Sequence, residues 1–137
     1  MVCHRGSGGG AYLLGGATSG TTVLSGGNEY VYSGGVASAT TVGSGGNEYV
    51  SSGLAIGTAV ASGGYQNVLS GGAATAASIA TGAQQNVWTG GTVSGTTLNG
   101  GAQFLFGGMA VATTASGGGA QYVSSGGVAS GTVVGSG

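Results

Sequence analysis

The sequence predicts an all-β fold: a parallel β-solenoid (β-helix) of about seven coils, flattened and right-handed. Three observations predict it. A segment of 17 to 19 residues recurs along nearly the whole chain, with copies opening at Gly9, Gly26, Gly45, Gly63, Gly82, Gly100 and Gly118. Glycine pairs recur at two places within a copy, as in GGNEYVYSGGVASATTVGS over 26–44. Aliphatic residues recur in columns between the pairs, as in Val31, Val50, Val68, Val87, Leu105 and Val123. A fixed period of this kind marks a repeat architecture: one copy cannot bury its own apolar face, whereas stacked copies can.

The elements follow in order. Residues 1–8, MVCHRGSG, match no copy and read as an irregular leader to a repeat array over 9–137. The leader lacks the apolar run of an export signal. No stretch approaches the roughly 20 apolar residues of a membrane-spanning helix. The expectation is therefore a piece of a longer array, without its own export signal or anchor. Cys3 has no second cysteine to pair with, and Cys3 with His4 is too small a set for a metal site.

Within a copy, a glycine pair opens a short run, a second pair opens another, and an aliphatic residue closes it. Glycine pairs supply the positive φ that tight turns require. The runs are too short for helices and rich in Val, Tyr and Thr, so they read as strands. Each copy is then strand, turn, strand, turn, and the array is two sheets with a narrow core. Three aliphatic columns are expected inside. The first is the Val31 column. The second is Val23, Val42, Val60, Ile79, Leu98, Ala115 and Val134. The third is Val36, Leu54, Ala73, Met109 and Val128, interrupted by Thr92. A further column, Gly20, Ala39, Gly57, Ala76, Gly95, Ala112 and Gly131, is always small, as a bend or a close backbone approach would demand. Parallel crossovers are overwhelmingly right-handed, which sets the expected hand.

Composition narrows the function. There are 36 Gly, no Pro and three charged side chains, Arg5, Glu29 and Glu48. Collagen fails for want of a Gly-X-Y period and of proline. Disordered chains are typically charged and poor in apolar residues, and this one is neither. The basic balance of a nucleic-acid binder is absent, so no nucleic-acid partner is expected.

Candidate chemistry is sparse. One column reads Glu29, Glu48, Gln66, Gln85, Gln103, Gln121. Side chains in register there can hydrogen-bond along the stack as Asn/Gln ladders do. A catalytic carboxylate pair is the competing reading, but the same position is Gln in four other copies and no third polar partner accompanies it. No Lys is present for a phosphate loop and no Asp for calcium-binding coils, so no cofactor or metal is expected and the chain reads as a non-enzyme. A polysaccharide-cleaving β-helix would need more charges than these. Thr pairs at Thr21-Thr22, Thr40-Thr41, Thr96-Thr97 and Thr113-Thr114 raise an ice-binding alternative, weakened because adjacent strand residues face opposite ways.

If Val31 and its equivalents face inward, strand alternation turns their neighbours outward. These include Tyr30, Tyr32, Tyr49, Trp88, Phe104, Phe106 and Tyr122. They are candidates for an adhesive surface, since an exposed aromatic patch marks an interaction site. Stacked aromatics also stabilise a sheet in their own right, and the residue types leave both readings open.

The repeats SGGNEYVYSGGVASATTVGSGGNEYV and AQYVSSGGVASGTVVGSG resemble the passenger repeats of AIDA-type autotransporter adhesins of Gram-negative bacteria. The resemblance covers 9–137 and is weaker over 63–81, where AATAASIAT departs from the pattern, and in the short first copy. It implies a non-catalytic passenger segment, part of a longer exported protein at the bacterial cell surface. There it would serve as a β-helical stalk and an adhesive, autoaggregation or biofilm surface. The partners implied are other copies of the array, a host-cell surface or its glycans, and a heptosyltransferase, because Ser hydroxyls in some members carry O-linked heptose. The matching positions are Ser33, Ser52, Ser70 and Ser125 at one turn and Ser25, Ser44, Ser62 and Ser136 at the other. Ser also suits turns by itself, which leaves both readings of each Ser open.

Overall fold

The structure, a computed structural model, describes residues 4–5 and 9–136. Cys3, in the expected leader, and Gly137 lie outside them. Every strand pairs in parallel with its equivalents one coil away, and the strands stack into a β-solenoid of about seven turns. A coil contains three strands where the sequence reading expected two. In the coil that opens at Gly26 they are Asn28–Tyr32, Val36–Ser38 and Thr41–Val42. Their equivalents build a first sheet of seven strands, a second of seven and a third of eight. The eighth strand is His4–Arg5, inside the expected leader, which pairs with Thr22–Val23.

The third strand arises at the always-small column. Gly20, Gly57, Gly95 and Gly131 there have φ near +70°, and Ala39, Ala76 and Ala112 have φ of 55°, 56° and 57°. This single left-handed residue bends the chain from the second sheet to the third. Crowding is not the reason for small side chains: a Cβ on Gly57 would meet nothing within 4 Å. The restriction is conformational, because an L-residue at positive φ pushes its Cβ toward the following carbonyl. Ala tolerates that at modest cost, and β-branched residues do not.

The two long aliphatic columns lie inside as expected. Val31, Val50, Val68, Val87 and Leu105 are buried and stand in register, one per coil. Val23, Val42, Val60, Ile79 and Leu98 do the same under the third sheet. Each such side chain contributes about 1.5–3 kcal/mol of burial. In the terminal coil, Val123 and Val134 are exposed, having a neighbouring coil on one side alone.

The third aliphatic column does not lie inside. Val36, Leu54, Ala73, Thr92, Met109 and Val128 face outward, and Met109 and Val128 are 43% and 50% exposed. Their neighbours Ala37, Ala55, Ala74, Val93 and Ala110 face in and pack with the Val31 column. Packed against the Val31 column, the inward position takes mostly Ala, and the larger residue is turned out. Thr92, an exception in an inward column, is ordinary in an outward one.

Candidate functional site

Three features of the solenoid carry chemistry: a buried polar spine, an aromatic outer face, and two edges bearing Ser. The first strand of each coil is long enough to point two side chains inward at full burial, and the first of them is the Glu/Gln column. Glu29, Glu48, Gln66, Gln85 and Gln103 all have 0% exposure. They form the expected ladder. Nε2 of Gln66 donates to Glu48 Oε2 at 2.7 Å, and Gln85 to Gln66, Gln103 to Gln85 and Gln121 to Gln103, each at 2.6 Å. The spine separates two aliphatic clusters, one under the second sheet and one under the third.

A second set of residues closes the spine sideways. Thr40 donates to Glu29 Oε2 at 2.9 Å, Thr58 to Glu48 at 3.0 Å, Thr96 to Gln85 at 3.1 Å and Thr113 to Gln103 at 3.1 Å. Thr132 does the same for Gln121 at 2.8 Å. These Thr are the first members of the Thr pairs or their equivalents, and all but Thr132 are buried outright. The second members, Thr22, Thr41, Thr97 and Thr114, face outward as one column broken at Ala59, Ser78 and Val133. A flat two-dimensional Thr array of the kind an ice-binding face needs is therefore not formed by these pairs.

The two acids occupy the N-terminal rungs. Thr18 donates to Glu29 Oε1 at 3.4 Å. Thr21 also faces Glu29, but outside hydrogen-bonding geometry, and its Oγ1 is the one buried polar side-chain atom left unpaired among the described residues. Burial pushes both carboxyls above the ordinary range. Glu48 rises to about 8, through loss of solvent and then the charge of Glu29. Glu29 is raised by burial and partly offset by the Thr hydroxyls. Neither acid reaches solvent, so neither can touch a substrate, and the catalytic reading of the pair fails on access. Among the described residues there is no cluster of three or more His, Cys, Asp or Glu.

All the aromatic residues but Tyr65, which stands alone and 37% exposed on the same face, form two groups on the outer face of the first sheet. Tyr12, Tyr30 and Tyr49 stack with ring centroids 4.7 and 5.1 Å apart, and Tyr32 leans on Tyr30 at 5.8 Å. Further along the axis, Trp88 stacks on Phe106 at 4.6 Å and Phe104 on Tyr122 at 4.8 Å. Phe104 and Phe106 join these pairs at 5.9 Å. Between the groups the column is amide: Asn86 Nδ2 donates to Asn67 Oδ1 at 3.0 Å. Sequence reasoning missed Tyr65 and also Tyr12, which is 66% exposed and continues the Tyr30 column. The signal was present, since YLLGG in the short first copy aligns with the run ending in YVYSGG. Beside the second group a shallow cavity of about 230 Å³ is lined by glycines, Thr92, Met109 and Val128.

All eight Ser positions, Ser25, Ser33, Ser44, Ser52, Ser62, Ser70, Ser125 and Ser136, are exposed. They stand in two rows along two edges of the solenoid, at the ends of the first and third strands. Each row depends on the glycine that follows it. A Cβ on Gly63 would lie 2.7 Å from Ser44 Oγ, and one on Gly90 would lie 2.9 Å from Ser70 Oγ. The positive-φ glycine of one coil thus leaves the space that the hydroxyl of the previous coil occupies. Where Thr replaces Ser, the hydroxyl reaches onward: Thr81 to the Asn99 carbonyl at 3.2 Å and Thr89 to that of Phe106 at 3.3 Å.

Fold and surface together define a class: a parallel three-sheet β-solenoid repeat protein whose outside carries aromatic and hydroxyl rows and few charges. No family model and no curated protein sequence matches the chain. A solved structure does. It is the crystal structure of a TibC-catalysed hyper-glycosylated TibA fragment, matched with a TM-score of 0.83 and 32% sequence identity over 98% of this chain. The chain spans 64% of that fragment's length.

Proposed function

We infer that the chain is a non-catalytic passenger segment of an AIDA-type autotransporter adhesin. Its array over 9–137, preceded by a leader over 1–8, forms a surface-exposed stalk that also presents an adhesive or autoaggregating face. The observation that carries this reading is the similarity to the TibA fragment over 98% of the chain, which joins the repeat resemblance to a matching fold. On this reading the protein stands at the bacterial cell surface as part of a longer exported polypeptide. Its partners are other copies of the array, host-cell surfaces or glycans, and a heptosyltransferase. The adhesive face is the aromatic sheet with Tyr30, Tyr32, Tyr49, Trp88, Phe104, Phe106 and Tyr122. Net charge of −1 gives long-range attraction little part, so contact chemistry has to do the work. Glycosylation falls on the eight exposed Ser along the two edges.

The experiment displays the array on a bacterium that does not aggregate by itself. Replacing Trp88 and Phe106 with Ser leaves the β-type circular dichroism spectrum in place and reduces cell–cell aggregation. A preserved spectrum with undiminished aggregation would assign these rings to sheet stability alone. Co-expression with a heptosyltransferase adds sugar masses to the intact protein, and these fall away as the eight Ser are replaced by Ala. An unmodified wild-type mass would remove glycosylation from the proposal.

A further inference from the structure

The buried spine has a direction. Each Gln donates its amide to the rung on its N-terminal side, from Gln121 through Gln103 and Gln85 to Gln66 and on to Glu48 Oε2. Glu48 and Glu29 are in register on adjacent strands, as successive Gln are. An ionised carboxylate has no donor with which to continue the series, and two ionised carboxylates one strand spacing apart in a dry core repel strongly. A protonated carboxyl solves both problems, because its O–H takes the place of the Gln N–H. Oε2 of Glu48 receives Gln66 at 2.7 Å and Thr58 at 3.0 Å, whereas Oε1 has only the longer Thr58 contact at 3.2 Å and is the oxygen placed to carry the proton. Glu29 ends the ladder as the acceptor, supported by Thr40 and Thr18.

We propose that Glu29 and Glu48 share one proton in the core, and that this proton makes the joint between the second and third coils a pH-sensitive clasp. No other titratable side chain of residues 9–136 faces the pair. Thr18, Ala37 and Ala55 approach from the second sheet, Thr21, Thr40 and Thr58 from the third, and Ala11 and Gln66 lie on the adjacent rungs. The sign follows from linkage. A carboxyl whose folded value lies near 8, against 4.5 unfolded, binds its proton in the folded state over that interval while the unfolded chain has lost it. Stability is then greatest at mildly acidic pH and falls as pH rises. The unfolding equilibrium constant increases about tenfold per pH unit for one proton, levelling off above the folded value.

The test exploits a chain with two acidic side chains and no others. Carbon-13 NMR of the side-chain carboxyls of the wild-type protein reads the proton directly. The expected result at pH 6 is one protonated carboxyl, which ionises near pH 8. Two ionised carboxyls at pH 6 would overturn the proposal. Denaturation midpoints from pH 5 to pH 9 give the second readout. Wild type loses stability with rising pH, and Glu48→Gln, which continues the amide ladder, removes most of that slope. A slope that persists in Glu48→Gln and in the Glu29→Gln/Glu48→Gln double variant would overturn it. So would restoration of alkaline stability by calcium, which would make the shared occupant a cation. Arg5→Ala is expected to leave the profile unchanged, and a shifted profile would show that the chain's one strong cation, not a proton, neutralises the pair.

Discussion

At the scale of the residue, the repeat rests on glycines that do two different jobs. The second glycine of a pair sits against the coil on its N-terminal side: a Cβ on Gly91 would lie 2.6 Å from the Val68 carbonyl oxygen and 3.1 Å from that of Trp88. Backbone cannot give way there without breaking the ladder. Gly57, in contrast, has open space and needs only φ of +67°. Gly91→Ala is therefore expected to cost more than Gly57→Ala, roughly 1–3 kcal/mol from overpacking against about 1 kcal/mol from the left-handed conformation. Denaturant midpoints of the two variants check the order, and equal losses would contradict it. Ser33 and Ser52 add a detail that residue type did not disclose, since both adopt positive φ, 44° and 54°, at the turn out of the first sheet.

At the scale of the element, the strands differ in how plainly the sequence announced them. The first strand of a coil is five residues in most copies, long enough for period-2 alternation to show which side faces in, so the Val31 column and the outward aromatics were both legible. The second strand is three residues bounded by turns, and alternation over three residues does not fix its phase. Hydrophobicity then misleads, because Val36, Leu54 and Met109 look like core and Ala37, Ala55 and Ala110 look like filler. Packing against the Val31 column reverses the two. The third strand, two or three residues long, was hidden behind a bend that Gly or Ala makes without a glycine pair. The Glu/Gln ladder was legible as a column, but its Thr partners were not. Their signal was a Thr ten or eleven residues after each Glu or Gln, missing once, at Ala77, opposite Gln66.

The ladder gives the prediction at this scale. Gln85→Leu keeps volume and removes an acceptor for Gln103 Nε2 and Thr96 Oγ1, together with a donor to Gln66. Leaving those buried groups unpaired is expected to destabilise the array by about 2–5 kcal/mol, although Leu is the more hydrophobic residue. An unchanged or raised midpoint would show that the spine contributes nothing to stability.

At the scale of the whole molecule, the solenoid is a stack in which each coil touches only its neighbours, so order along the axis comes from like residues meeting like: Val on Val, Gln on Gln, Tyr on Tyr. A chain with three charged side chains and a core two side chains wide has few other means of fixing register. This arrangement also explains how one polypeptide can present continuous rows on its surface. Whatever occupies a position in one coil is repeated one strand spacing further on, and the aromatic and Ser rows follow from the same register as the core. The most direct test of that register is a set of carbon–carbon contacts from solid-state NMR on labelled protein, which reads the packing whether or not molecules associate. The three-sheet solenoid predicts contacts from Val68 to Val50 and to Val87, its in-register partners one coil away on either side. It also predicts contacts from Val60 to Val42 and to Ile79. Contacts joining the first and second strands of one copy as an antiparallel hairpin, with none between equivalent residues of successive copies, would contradict it.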